Sequence, residues 1–225
     1  MAFKNRRGGR GFRLNPRMMR IVIIGGIALF TWLAKEVPKF LEGKGISVPG
    51  SVPQETVEGS GDYDQLKGAR LANHKHNDGD SFHVSHGGKD YEFRLYYVDT
   101  PEKYIASHNA ERVGHQARYF GGISMDDTVD VGIDAKEFSL GLLKKQPFDV
   151  YTSWEEVYDS GRYYCFVKLK DGQYLSEKLT ERGLVRIYTK GESTPDGRSY
   201  HKFKAHLEDI ESDAKRNGAG GWGRR

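Results

Sequence analysis

Apolar and polar positions alternate with a period of two over two stretches that begin near Phe82. Phe82 and Val84 are flanked by polar residues, and Tyr91, Phe93, Leu95 and Tyr97 then alternate with Glu92, Arg94, Tyr96 and Val98. Period two belongs to a strand with one face on a core, so strands are expected here, the second over 91–98. His86-Gly87-Gly88-Lys89 between them carries the glycines that a tight hairpin needs. A further strand is expected over 163–170, followed by a turn at Asp171-Gly172. Helical spacing appears three times, at Ala110/Val113/Ala117/Phe120, at Ala135/Phe138/Leu142/Leu143 and at Phe203/Leu207/Ile210/Ala214. Each set recurs at three- and four-residue steps and so forms one apolar stripe. A shorter helix is expected over 176–182, with Gly183 as its stop signal. Hairpin-linked strands first and helices interleaved later predict an α+β domain, a small barrel flanked by helices.

The chain ahead of this domain is organised differently. Residues 21–34 are uncharged and largely apolar, between Arg20 and Lys35. As a helix this run is about 21 Å long, short of a hydrocarbon core of about 30 Å. Snorkelling of Arg20 and Lys35 with local thinning of the bilayer would still let it span. A cleavable signal peptide shares the charged start and short apolar centre. Cutting after Ala34, however, would put Trp32 where a small residue belongs, so an uncleaved anchor is the favoured reading. An organellar presequence or a buried helix would also fit the run. An anchor would leave residues 1–20 in the cytoplasm and everything after Lys35 across the membrane. Residues 35–60, with Pro38, Pro49 and Pro53, read as a flexible linker, and residues 61–225 as the folded domain.

Charge follows this division. The net charge of +4 invites a nucleic-acid reading, but seven basic residues and no acid lie in the first twenty positions. Setting those seven aside leaves 28 basic residues against 31 acidic ones, a balance of −3. The basic excess therefore belongs to the leader, where attraction to lipid headgroups explains it more simply than RNA binding by Arg7-Gly-Gly-Arg10. The single cysteine, Cys165, excludes an intrachain disulfide and reads as a buried, inert thiol on a strand. His74, His76, His83 and His86 are close enough in sequence to raise a metal site. Exposed strand histidines are the preferred reading, because no further ligand motif accompanies them.

Three polar segments stand out: Asp78-Gly79-Asp80-Ser81, Arg94 followed by Asp99-Thr100-Pro101-Glu102, and Asp159-Ser160-Gly161-Arg162. Singly, each has an ordinary explanation as a capped turn, a surface ion pair or a helix start. Together they contain what phosphodiester hydrolysis requires. Carboxylates suit a hard cation, another carboxylate can activate water, and arginine forks match phosphate oxygens.

Phe93-Arg94-Leu95 followed by Val98-Asp99-Thr100-Pro101-Glu102 resembles the signature of the staphylococcal nuclease family. Asp78-Gly79-Asp80 lies ahead of it and Gly161-Arg162 behind it, in the family's order, and the resemblance runs from about residue 71 to 215. It implies a five-stranded oligonucleotide-binding (OB-fold) barrel with packed helices. It also implies a Ca²⁺-dependent nuclease that cuts the P–O5′ bond of DNA or RNA and leaves a 3′-phosphate. Carried over residue by residue, Asp80 and Asp99 would ligate Ca²⁺ through carboxylates and Thr100 through its carbonyl. Glu102 would orient or deprotonate water, Arg94 and Arg162 would bind the phosphate, and Tyr188 would stack on the nucleotide.

The chain also departs from that family. An extra segment with its own helix is expected between Lys103 and Val131, directly after Glu102. Tyr158-Asp159-Ser160 does not reproduce the family's nucleotide-contacting residues, so its base and terminal-phosphate preferences do not carry over. The reading expects no obligate protein partner. Its rival is a non-catalytic OB-fold module that binds nucleic acid or a protein.

Overall fold

The computed structural model describes residues 62–224. The basic leader, the apolar run 21–34 and the linker 35–60 all lie outside the described residues. Among the described residues no helix is long and apolar enough to cross a membrane.

Five strands close into a barrel: β1 (Asp64–Leu71), β2 (Ser81–His86), β3 (Lys89–Leu95), β5 (Phe148–Thr152) and β6 (Tyr163–Lys168), in the order β1-β2-β3-β6-β5. β3 and β6 run parallel and the other neighbours antiparallel. β1 serves both ends of the sheet, pairing with β2 through Arg70 and Leu71 and with β5 through Asp64 to Ala69. A register shift between Leu66 and Ala69 allows this, with Gly68 at φ 69°. One extra residue with a left-handed backbone bends a strand sharply, which is how a five-stranded sheet curls onto itself. The result is an OB-like barrel in an α+β domain.

The Gly87-Gly88 hairpin joins β2 to β3 as expected, with both glycines at positive φ. Phe82, Val84, Phe93 and Leu95 point into the barrel and are fully buried with Phe148 and Val150. Cys165 lies among them on β6, fully buried, and burial pushes its thiol pKa up.

The alternation that predicts one strand over 91–98 is interrupted. β3 stops at Leu95, and Tyr97 takes φ 69°, a left-handed conformation rare for a bulky residue. Tertiary contacts hold it there. Its hydroxyl donates to the Glu192 carbonyl at 2.5 Å, its N–H donates to the Lys190 carbonyl at 2.8 Å, and its carbonyl accepts the Tyr188 N–H at 2.9 Å. The chain resumes as β4 (Val98–Asp99), which leaves the barrel and pairs with β7 (Arg186–Ile187). That break turns Asp99 away from the barrel sheet.

Four helices pack outside: α1 (Ala110–Tyr119), α2 (Met125–Lys145), α3 (Leu175–Glu181) and α4 (Tyr200–Arg216). α1 occupies the segment expected to carry an extra helix. α2 begins ten residues before the first position of its apolar stripe. Ser124 sets that start by accepting the Asp127 N–H at 3.0 Å, with Asp126 and Asp127 in the first turn. α3 ends one residue earlier than the sequence suggests, and Gly183 follows at φ 63°.

Candidate active site

Two of the three polar segments, 78–81 and Arg94 with 99–102, meet outside the barrel, where the β3–β4 break, the loop before β2, and α1 converge. Asp80 and Asp99 are both buried there, at 4 % and 2 % exposure. Asp80 Oδ2 accepts the Thr100 N–H at 2.7 Å, and Oδ1 accepts the Ser81 hydroxyl at 3.2 Å. Arg94 joins the two carboxylates. Its Nη2 lies 3.3 Å from Asp80 Oδ2 and 2.7 Å from Asp99 Oδ1, and its Nη1 lies 3.3 Å from Asp80 Oδ1.

Three residues outside the sequence-predicted set complete the cluster. Arg186, buried on β7, places Nε 2.6 Å from Asp99 Oδ2. Arg112 on α1 reaches Asp99 Oδ1 through Nη2 and Glu102 Oε1 through Nη1, both at 3.1 Å. Gln116, one turn on and fully buried, spans the 99–102 segment. Its amide nitrogen donates to Asp99 Oδ2 and to the Thr100 carbonyl at 3.4 Å, and its oxygen accepts the Glu102 N–H at 3.1 Å. The 103–131 segment thus supplies two of these three residues. Arg112 and Gln116 stand four apart on one helix face, but a glutamine beside an apolar stripe reads as solvated. Arg186 sits in a two-residue strand, too short to show any period.

Close packing fixes the backbone. A methyl group on Gly79 would lie 2.8 Å from Thr100 Cγ2 and 3.1 Å from the Ala135 carbonyl carbon. One on Gly132 would lie 2.5 Å from the Pro101 carbonyl oxygen and 2.6 Å from that of Glu102. Two glycines therefore let α2 lie directly against the loops that carry Asp80 and Glu102. Asp78 accepts the Gly79 N–H at 2.8 Å and pairs with Lys103 rather than with Arg94.

The pKa values of the two buried carboxyls are shifted in opposite directions. Burial, reinforced by the neighbouring Asp99 charge, outweighs Arg94 and raises the Asp80 pKa. Burial acts the same way on Asp99, but Arg186, Arg94 and Arg112 together overcome it and hold the pKa low. Arg94, also disfavoured by burial, has its pKa raised by the two carboxylates.

The other expected residues are more exposed. Arg162 precedes β6, two residues ahead of Tyr164, which is in register with Arg94. Its Nε donates to Ser160 Oγ at 3.1 Å, and among the described residues it is in no ion pair with Asp80, Asp99 or Glu102. Tyr188 is 67 % exposed, and one face of its ring lies against the Arg186 guanidinium, 3.8 Å from the ring centroid. Of the histidines, His74 and His76 lie in the loop after β1 rather than on strands. The His74 ring is 3.7 Å from that of His83, which bonds Asn77 Oδ1 through Nδ1 at 3.0 Å.

The donor set suits a hard cation: two buried carboxylates and the Thr100 carbonyl, all oxygen. The point nearest both carboxylates is held by Arg94 Nη2, so a cation binding there would displace the guanidinium. Among the described residues, no three His, Cys, Asp or Glu side chains are grouped to hold a metal, so the backbone carbonyl would have to supply the third ligand. No family model matches the chain, and no curated protein is similar to it at a significant level.

Proposed function

We propose that the domain hydrolyses phosphodiester bonds of DNA or RNA at the P–O5′ bond, leaving 3′-phosphates, with Ca²⁺ as its cofactor. The observation that carries this reading is the convergence of Asp80, Arg94, Asp99, Thr100 and Glu102 from separate segments onto one locus beside the barrel. A merely structural ion pair would need neither the second buried carboxylate nor the partly exposed glutamate beside it.

Ca²⁺, held by the Asp80 and Asp99 carboxylates and the Thr100 carbonyl, would act as a Lewis acid on a non-bridging phosphate oxygen. Arg94 and Arg162 would each fork onto phosphate oxygens whose charge grows in the transition state. Glu102 would take a proton from water as the water oxygen bonds to phosphorus. The P–O5′ bond then breaks and the departing oxygen takes a proton from solvent. Tyr188 would stack on a base of the bound strand, on the ring face opposite Arg186. In the proposed setting, residues 21–34 anchor the domain outside the cytoplasm, or release it if cleaved.

The second reading, a binding module without catalysis, draws on one specific feature. Each oxygen of Asp80 and Asp99 already meets an N–H or O–H donor of the protein. Cleavage of single-stranded DNA and RNA by the full-length protein, with calcium and with chelator, separates the two. Calcium-dependent cutting with 3′-phosphate ends supports the hydrolase. A folded protein that binds strands and cuts under neither condition supports the module.

A further inference from the structure

Next to the hydrolytic cluster lies an open cleft of about 660 Å³ between α1 and β7. Arg112, His115 and Arg118 line it from α1, and Arg186 and Tyr188 from β7 and the residue after it. Glu111 is the one carboxylate among its described lining residues. Arg112 and Arg186 belong to the cleft and to the cluster alike, since both hold Asp99. The cleft therefore adjoins the Asp99 side of the cluster through these two arginines.

We propose that this cleft is a binding subsite for a neighbouring phosphate and base of the same nucleic-acid strand, with the basic side of α1 as its phosphate wall. The proposal rests on the hydrolytic reading for its direction, but the groups that argue for it are different ones. Arg112, His115 and Arg118 follow each other at three-residue intervals. From Arg112 to Arg118 the helix advances about 9 Å, a distance of the order of one extended nucleotide. Arg112 marks the end at the reacting phosphate, where its guanidinium sits on Asp99 and Glu102. Arg118 is exposed and in the last turn of α1, where it can meet the next phosphate along.

Opposite this wall, Tyr188 offers a ring already held in place. The Arg186 guanidinium covers one face, and Arg186 is fixed through its Nε on Asp99. A base stacking on the free face meets a platform that needs no ordering on binding, and stacking tolerates any base. A cationic wall facing an aromatic one is the arrangement that recognises single strands without sequence preference. His115 and Glu111 are 58 % and 91 % exposed and lie 3.6 Å apart. Glu111 thus tempers the positive wall.

The test is equilibrium binding of a labelled octathymidylate and a dithymidylate to the full-length protein in chelator, titrated with salt. We expect Arg118→Ala with His115→Ala to weaken octanucleotide binding about tenfold. The slope of log K against log salt should fall by about 0.7 for each phosphate no longer neutralised. The penalty should fade in the dinucleotide, whose single internucleotide phosphate cannot occupy the reacting position and the Arg118 end at once. Glu111→Gln should tighten octanucleotide binding, an effect that a purely structural role for α1 would not produce. Unchanged affinity and slope in the double variant and in Arg118→Glu, with intact circular dichroism, would overturn the subsite. Wild-type cleavage with binding indifferent to these residues refutes the subsite alone. Binding that depends on α1 without cleavage under any metal condition refutes the hydrolytic reading alone and leaves the subsite standing.

Discussion

Replacing Arg186 with leucine tests the electrostatic design of the cluster most directly. The Arg186–Asp99 pair is almost sealed from solvent, with side-chain exposures of 6 % and 2 %. At an effective dielectric of about 20, unit charges about 4 Å apart interact by about 4 kcal/mol. Removing one partner of a buried pair characteristically costs about 3–5 kcal/mol, because the other charge is left uncompensated. Arg94 and Arg112 still reach Asp99 Oδ1 after the change, which moves the expectation to the low end, about 3 kcal/mol. Urea unfolding at neutral pH, followed by fluorescence and circular dichroism together, reads it out. With a slope of about 2 kcal/mol per molar, the midpoint should fall by about 1.5 M. In an Asp99→Asn background the same change should cost little or become favourable, since it removes an arginine whose partner is already gone. Arg186→Lys should fall between, keeping the charge and losing the Nε geometry. A midpoint shift below about 0.5 M, or an equal penalty with and without the Asp99 carboxylate, would refute the reasoning.

Glu102→Gln should lower turnover by about 10²–10⁴ and Arg162→Ala by about 10²–10³, both with unchanged unfolding midpoints. A near-normal rate in either purified variant removes that residue's assigned role. Gly132→Ala should destabilise by about 1–3 kcal/mol through the clash with the 101–102 backbone, and should also slow cleavage by shifting Glu102. Calorimetry with a parallel activity assay checks both effects. Asp196 is pushed up by burial, but Thr194 and Arg198 outweigh this and hold its pKa low. Its charged form is therefore the stabilising one. The stability lost in Asp196→Asn should be full at pH 7, shrink as the pH falls below about 4, and vanish below the folded-state pKa. Because that carboxylate is 37 % exposed, the effect should be below about 1 kcal/mol. A difference that persists or grows in acid contradicts the sign.

Three of the five barrel strands were legible, β2 and β3 from their alternation about the Gly87-Gly88 turn and β6 from its apolar run ahead of Asp171-Gly172. β1 and β5 were not expected from the sequence. α1 and α4 were legible from their stripes. What escaped the sequence depends on contacts between distant segments. The strand pattern through Val98 gives no hint that Tyr97 breaks it, since the left-handed backbone is held by Lys190 and Glu192, some ninety residues on. The same holds for the site. Asp80, Arg94, Asp99, Thr100 and Glu102 could be named from motif order, and they do come together. Arg112, Gln116 and Arg186 could not, because each is recognisable only by the carboxylate it meets. Arg162 was named with the others, yet it lies against Ser160 rather than among the carboxylates.

The full burial of Cys165 makes this chain a natural gauge of its own opening. It is the only thiol in 225 residues, and it faces the closed interior on β6. A thiol reagent can reach it only when the barrel separates. With reclosing fast relative to labelling, the modification rate reports the population of the open form, without denaturant or an added probe. Strand binding, calcium and each substitution above can then be ranked on one clock, by how much they slow or hasten the marking of one sulfur.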